Sequence, residues 1–131
     1  MKKGLILLSI LVLFQSCYFG IGLVEDDLPG NFMLFANNEY EELAIINSSK
    51  DKSTYNIVVD ETVFSVGYNE EFIIAKSYSN NKILYHIIEI KNDLKQKYLN
   101  LSFHDYQSKR VELNLPIDLN FTIVYQEVLK N

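Results

Sequence analysis

The chain has 131 residues, a formal charge of −5, 48% hydrophobic residues, two histidines and one cysteine. Its length suits one domain with one core. The acidic balance, with no Lys or Arg cluster, excludes a nucleic-acid backbone as partner, because such binders gather positive charge on one face; one cysteine excludes an internal disulfide.

Lys2 and Lys3 precede an apolar run over residues 5–14, broken only by Ser9 and followed by Gln15, Ser16 and Cys17. The lysines favour the cytoplasmic side, and about ten apolar residues are half of the ~20 that a spanning helix needs. Residues 1–16 therefore read as a cleaved signal peptide. Leu13, Phe14, Gln15, Ser16 and Cys17 resemble a bacterial lipobox, with Phe14 where leucine is commonest. That resemblance makes Cys17 the lipidation site. A glyceride there supplies two acyl chains, each buried methylene adding about 0.8 kcal/mol of membrane binding. The expected location is a bacterial cell envelope, on the periplasmic or outer-surface side of a membrane. The apolar residues Tyr18 to Val24 leave an uncleaved signal anchor as the alternative, against which Gln15 and Ser16 argue.

Residues 17–30 read as a tether, since Glu25, Asp26 and Asp27 run into the turn pair Pro29 and Gly30. The domain is expected over residues 31–131. Removal of Lys2 and Lys3 with the leader takes the charge of residues 17–131 to −7 and leaves all nine tyrosines. Short β-branched and aromatic segments at residues 32–36, 42–46, 55–59, 63–68, 71–78 and 83–91 predict strands with short antiparallel connections. Thr62, Phe64, Val66 and Tyr68 share one face of their strand, with Val63, Ser65 and Gly67 opposite, and Asn69 with Glu70 can turn the chain back into Phe72. The run at 83–91 is apolar on both faces and predicts a central strand under another layer.

That layer is predicted over residues 102–113. Ser102 suits a helix N-cap, and Asn114 with Pro116 suits the stop. At 100° per residue Phe103, Tyr106, Arg110 and Leu113 form one stripe, with His104, Asp105, Ser108 and Glu112 opposite; Asp105 and Lys109 have the spacing of a surface ion pair. Phe121 to Tyr125 reads as a closing strand. The fold expected is α+β: an antiparallel sheet of five to seven short strands with one C-terminal amphipathic helix packed on it, after a signal peptide.

Three features, the lipobox start, Tyr68-Asn-Glu-Glu-Phe-Ile-Ile-Ala-Lys76, and Lys109-Arg-Val-Glu-Leu113, resemble an uncharacterised family of small bacterial lipoproteins, domain of unknown function 3997. Its helix usually ends in glycine where this chain has Asn114, and a Gly-Pro turn often stands where this chain has Asn100 and Leu101. The resemblance implies an envelope lipoprotein with a β-rich domain, and brings no activity or catalytic residue with it.

His86 and His104 have no second His or Cys at ligand spacing, so no metal is expected. His86 on an apolar strand face reads as a structural residue. The adjacent acidic pairs, such as Glu41 with Glu42, point to opposite faces of a strand or into water at turns, which suits solubility better than acid–base work. No phosphate loop, nucleophile elbow or cofactor motif occurs, so no catalytic residue or cofactor is named. Arg110 in the helix stripe and Lys76 beside Phe72 and Ile74 either snorkel or, with His86, line a polar groove between helix and sheet. The function expected is a non-enzymatic binding or interaction module that meets an envelope protein through a Tyr-rich sheet edge. Alternatives are an inhibitor or immunity-type lipoprotein acting on a hydrolase, and an enzyme or small-molecule carrier whose site no local motif reveals.

Overall fold

The computed structural model describes residues 22–49, 51, 53–90 and 96–130. The strands are β1 (Val24–Leu28), β2 (Phe32–Ala36), β3 (Ala44–Ser48), β4 (Tyr55–Val59), β5 (Val63–Tyr68), β6 (Phe72–Ser79), β7 (Lys82–Glu89), β8 (Gln96–Leu101) and β9 (Ile123–Val124), with helix α1 (Phe103–Glu112) between the last two. They form two antiparallel sheets, in the orders β1-β2-β3-β4 and β8-β7-β6-β5-β9. The fold class is the one expected, with nine strands in two sheets among the described residues in place of the five to seven expected.

Side-chain alternation builds three layers from this order. Leu34, Ile45 and Val59 of the first sheet meet Val63, Val66, Ile73, Ala75 and Ile88 of the second in one buried cluster. Alternate residues Phe72, Ile74 and Ile87 point the other way, onto Tyr106, Leu115 and Leu119. Sheet β5–β9 is thus covered on both faces, by the first sheet and by the helix with its following loop. Fifteen buried residues form the inter-sheet cluster, so the larger share of the core lies between the sheets.

Local chemistry fixes the turns. The Asn69 side-chain oxygen accepts the amides of Glu71 and Phe72, both at 2.8 Å, an Asx turn that starts the β6 return. Between β6 and β7, Asn80 and Asn81 both have positive φ, 51° and 61°, the two-residue geometry whose twist matches a hairpin. Ser102 caps α1, its Oγ accepting the Asp105 amide at 3.1 Å. At the other end Asn114, with φ of 54°, donates to the Val111 carbonyl at 3.1 Å, and the Leu115 amide reaches the Arg110 carbonyl at 3.0 Å, the paired bonds of a Schellman stop. Asn100 has φ of 58°. Asn100 and Asn114 are therefore both left-handed, and asparagine fills these positions because its short amide tolerates that conformation.

Several expectations are corrected. Residues 24–28, placed in a tether, are β1, paired along all five positions with β2; Asp26 also accepts the Tyr125 hydroxyl at 2.8 Å. Residues 96–101, between the last expected strand and the expected helix, form β8, while residues 91–95 lie outside the described residues. Residues 40–42 form a 3-10 turn, and β3 begins at Ala44. A register shift between Val63 and Ser65 sends both Val63 and Phe64 into the inter-sheet core, so the strict two-residue alternation fails there. On α1 only Tyr106 is buried, and Phe103 of the expected stripe is 57% exposed. Lys109 pairs with Glu112 at 2.8 Å rather than with Asp105, held on that side by its position over the Tyr98 ring.

Candidate interaction surface

The outer face of the first sheet carries Phe35 from β2, Ala44 and Ile46 from β3, and Tyr55 and Ile57 from β4. Cross-strand register lines them up: Phe35 stands opposite Ala44, and Ile46 opposite Ile57. These contacts bury Ala44 and Ile46, at 5% and 6% exposed, yet leave Tyr55 61% and Ile57 59% exposed. The Phe35 and Tyr55 rings, 6.4 Å apart, wall a hollow of about 140 Å³ with Ile46 and Ile57 in its floor and Glu42 and Glu61 beside it. The hollow is close in size to the ~150 Å³ that accepts a benzene ring in an apolar cavity. It can seat one apolar side chain. Glu42 is held in place because its carboxylate accepts the Asn38 amide at 2.9 Å.

The strand under this surface, β4, is an edge of its sheet. Tyr55, Asn56, Ile57, Val58 and Val59 carry no charge, so no charge on the strand blunts pairing with a further strand; its one irregularity is the register shift at Val58.

The residues singled out from the sequence fall elsewhere. Cys17 lies outside the described residues. His86 is 2% exposed and stands opposite Ala75, on the inter-sheet side. Its Nδ1 accepts the Asn100 amide at 3.1 Å and its Nε2 lies 2.7 Å from Ser77 Oγ. An Nδ1 that accepts leaves the ring hydrogen on Nε2, so Nε2–H donates to Ser77. Burial pushes the imidazole down to about 4, and the ring is neutral near pH 7. Opposite it β8 is irregular: Tyr85 pairs with Leu101 and Ile87 with Tyr98, so two residues, Leu99 and Asn100, face one. His86 satisfies the amide that this bulge turns out of the ladder.

Lys76 and Arg110 lie on the opposite, helix side of that sheet. Lys76 Nζ sits 4.4 Å from the Phe121 ring centre and 5.7 Å from that of Tyr85. The Arg110 guanidinium donates to Tyr106 Oη at 3.2 Å and to the carbonyls of Pro116 and Leu119 at 2.9 and 3.0 Å. It pins the loop after α1 over the sheet. A hollow of about 420 Å³ beside Arg110 is lined also by Val111, Leu115 and Ile117, with no acidic group and no histidine. The sheet separates His86 from Lys76 and Arg110, and the three do not line one groove. Among the described residues no group of three His, Cys, Asp or Glu is arranged to hold a metal, and no helix is long and apolar enough to cross a membrane.

A family model matches residues 29–127, the span from the end of β1 through β9. The chain belongs to the family described as Protein of unknown function (DUF3997). No curated protein and no solved structure gives a match. In this DUF3997 chain the Tyr68-to-Lys76 motif is the β5–β6 hairpin and the Lys109-to-Leu113 motif is the last turn of α1 with its cap. Two of the three features that carry the resemblance thus belong to the helix-covered sheet and its helix, and the lipobox lies outside the described residues. The bare surface was not legible from them: its residues come from three strands, and each alone reads as ordinary core.

Proposed function

We infer that this protein is a lipid-anchored, non-enzymatic interaction module of a bacterial cell envelope, which holds a partner protein against the outer face and β4 edge of its first sheet. One observation carries the reading: an apolar face, with Tyr55 and Ile57 61% and 59% exposed, ends on an uncharged edge strand. Exposed apolar surface of this kind marks a docking site more often than an idle surface. The anchor is supported by the lysine, apolar run and Cys17 sequence of the first 17 residues. Tethering would confine the module to a plane and raise its effective concentration for other envelope proteins.

The test joins both halves. Intact mass of the membrane-extracted protein should show loss of residues 1–16 and a gain of acyl mass, both absent in Cys17→Ser. A photo-crosslinking amino acid at position 57 should give a discrete adduct in cells, and one at position 111 on the exposed face of α1 should not. An unacylated precursor would overturn the anchor, and adducts of equal yield from both positions would overturn the docking face.

A further inference from the structure

Among the described residues the two sheets present four edges, β1, β4, β8 and β9. Three are blunted. β1 carries Glu25, Asp26 and Asp27 in a row; β8 contains Lys97 and the bulge at Asn100; β9 has two residues. β4 alone is five residues long, uncharged, and β-branched at three of them, with a register shift of its own at Val58.

The two carboxylates that border the hollow stand at one end of β4. Phe35 opposite Ala44, and Ile45 opposite Val59, place Glu42 just before β3 and Glu61 just after β4 at the same end of the sheet, and both border the hollow. Tyr55 stands at the other end. A strand added antiparallel to β4, as every pair in these sheets is, would begin at the acidic end and finish beside Tyr55. Alternate side chains of that strand would lie on the outer face, the first near Glu42 and Glu61, the next beside Ile57 and the hollow.

Given the interaction role inferred above, we propose that β4 receives an extended segment of a partner protein, paired antiparallel, with a basic residue first and apolar residues two and four positions later. A second copy of this chain is a separate outcome of the test below, since Lys50 and Lys52 precede β4 in the sequence. Main-chain bonds give such an addition its affinity and alternate side chains its selectivity.

The proposal is tested by titrating the isotope-labelled full chain, in detergent, with three blocked six-residue peptides. One has lysine first with isoleucine third and valine fifth; one has the reverse order; one has glutamate in place of the lysine. The first peptide should shift the amide resonances of Tyr55–Val59 and bind about fivefold more tightly than either of the others, a factor of the size that exposed ion pairs supply. Glu42→Gln with Glu61→Gln should erase the advantage of lysine over glutamate while leaving the shifted amides the same. Equal affinity for forward and reversed peptides would overturn the direction, and a peptide-free dimer lost in Ile57→Lys would assign the edge to a second copy. If no peptide binds while position 57 still crosslinks a partner in cells, the strand assignment fails and the interaction role stands.

Discussion

On the outer side of the β5–β9 sheet, Phe72, Ile74 and Ile87 lie under Tyr106, Leu115 and Leu119 and are buried. On the outer side of the β1–β4 sheet, a comparable apolar set, Phe35, Ile46, Tyr55 and Ile57, has only its own neighbours for cover, and two of the four stay more than half exposed. The two sheets share one core and differ in what lies on their backs. A cover was built for one: α1 is capped at both ends, Arg110 ties the following loop down through two carbonyls, and Gly67 leaves the space into which the backbone at Asn120 descends, where any side chain would collide. Among the described residues nothing equivalent protects the other sheet. The contrast teaches that the bare face is not the ordinary outcome of a short chain running out of apolar residues. α1 itself leaves Val111 77% exposed, so apolar surface is spread over the molecule, but among the described residues only beside β4 does it coincide with an uncharged five-residue edge.

The largest expected effect removes the difference by stripping the cover. Tyr106 is the only buried residue of α1; its ring stacks on Tyr85 at 4.8 Å and its hydroxyl accepts from Arg110 at 3.2 Å. Tyr106→Ala should cost about 3–5 kcal/mol of stability, the range for truncating a buried aromatic residue, read from urea unfolding, with increased binding of a hydrophobic dye. A loss below about 1 kcal/mol would mean that the helix contributes little to the fold.

How far these two faces could be read from the sequence follows from where each strand takes its order. The β5–β6 hairpin and α1 declare themselves, because Asn69, Ser102 and Asn114 act within two or three residues of their own positions and the apolar periods are long. β1 and β8 do not. β1 buries only Val24 and Leu28, with three acidic residues between them, and β8 has no fully buried residue and a bulge that breaks its alternation; both are held by the neighbour they pair with. β4 misleads in the opposite way. Ile57, Val58 and Val59 are apolar on both faces, the pattern of a central strand, yet the strand stands at an edge. Lys76 and Arg110 were singled out as charges on apolar faces, which is where they lie. Their partners, the Phe121 ring and two loop carbonyls, come from a segment whose path over the sheet has no sequence period.

The second expected effect concerns the interior that both sheets share. The His86 imidazole is held at about 4, against 6.5 in a solvated histidine, because burial opposes its charged form. The unfolded chain takes up this proton as the pH falls below about 6.5, and the folded chain resists until about 4. Stability from this group is therefore full above pH 6.5 and is lost as the pH falls towards 4, by on the order of 3 kcal/mol in all. The window from pH 6.5 to 5 isolates it from most carboxylates, and about 2 kcal/mol should go there. His86→Asn, whose amide oxygen can take the Asn100 N–H and which does not titrate, should flatten this slope in urea unfolding. An unchanged slope would assign the acid sensitivity to another group.

The smallest expected effect is the one that sharpens the comparison most. Ile57 is 59% exposed and a polar residue there removes little from the core, so Ile57→Ser should change stability by no more than about 0.5 kcal/mol, as exposed substitutions do. Ile74 is its counterpart under α1, fully buried, and Ile74→Ser should cost several kcal/mol through lost burial and an unpaired hydroxyl. Should Ile57→Ser cost as much as Ile74→Ser, the face beside β4 would be part of the folding core of this chain. If instead stability is unchanged while crosslinking from Tyr55 is lost, isoleucine at position 57 serves contact with something outside the chain rather than the fold.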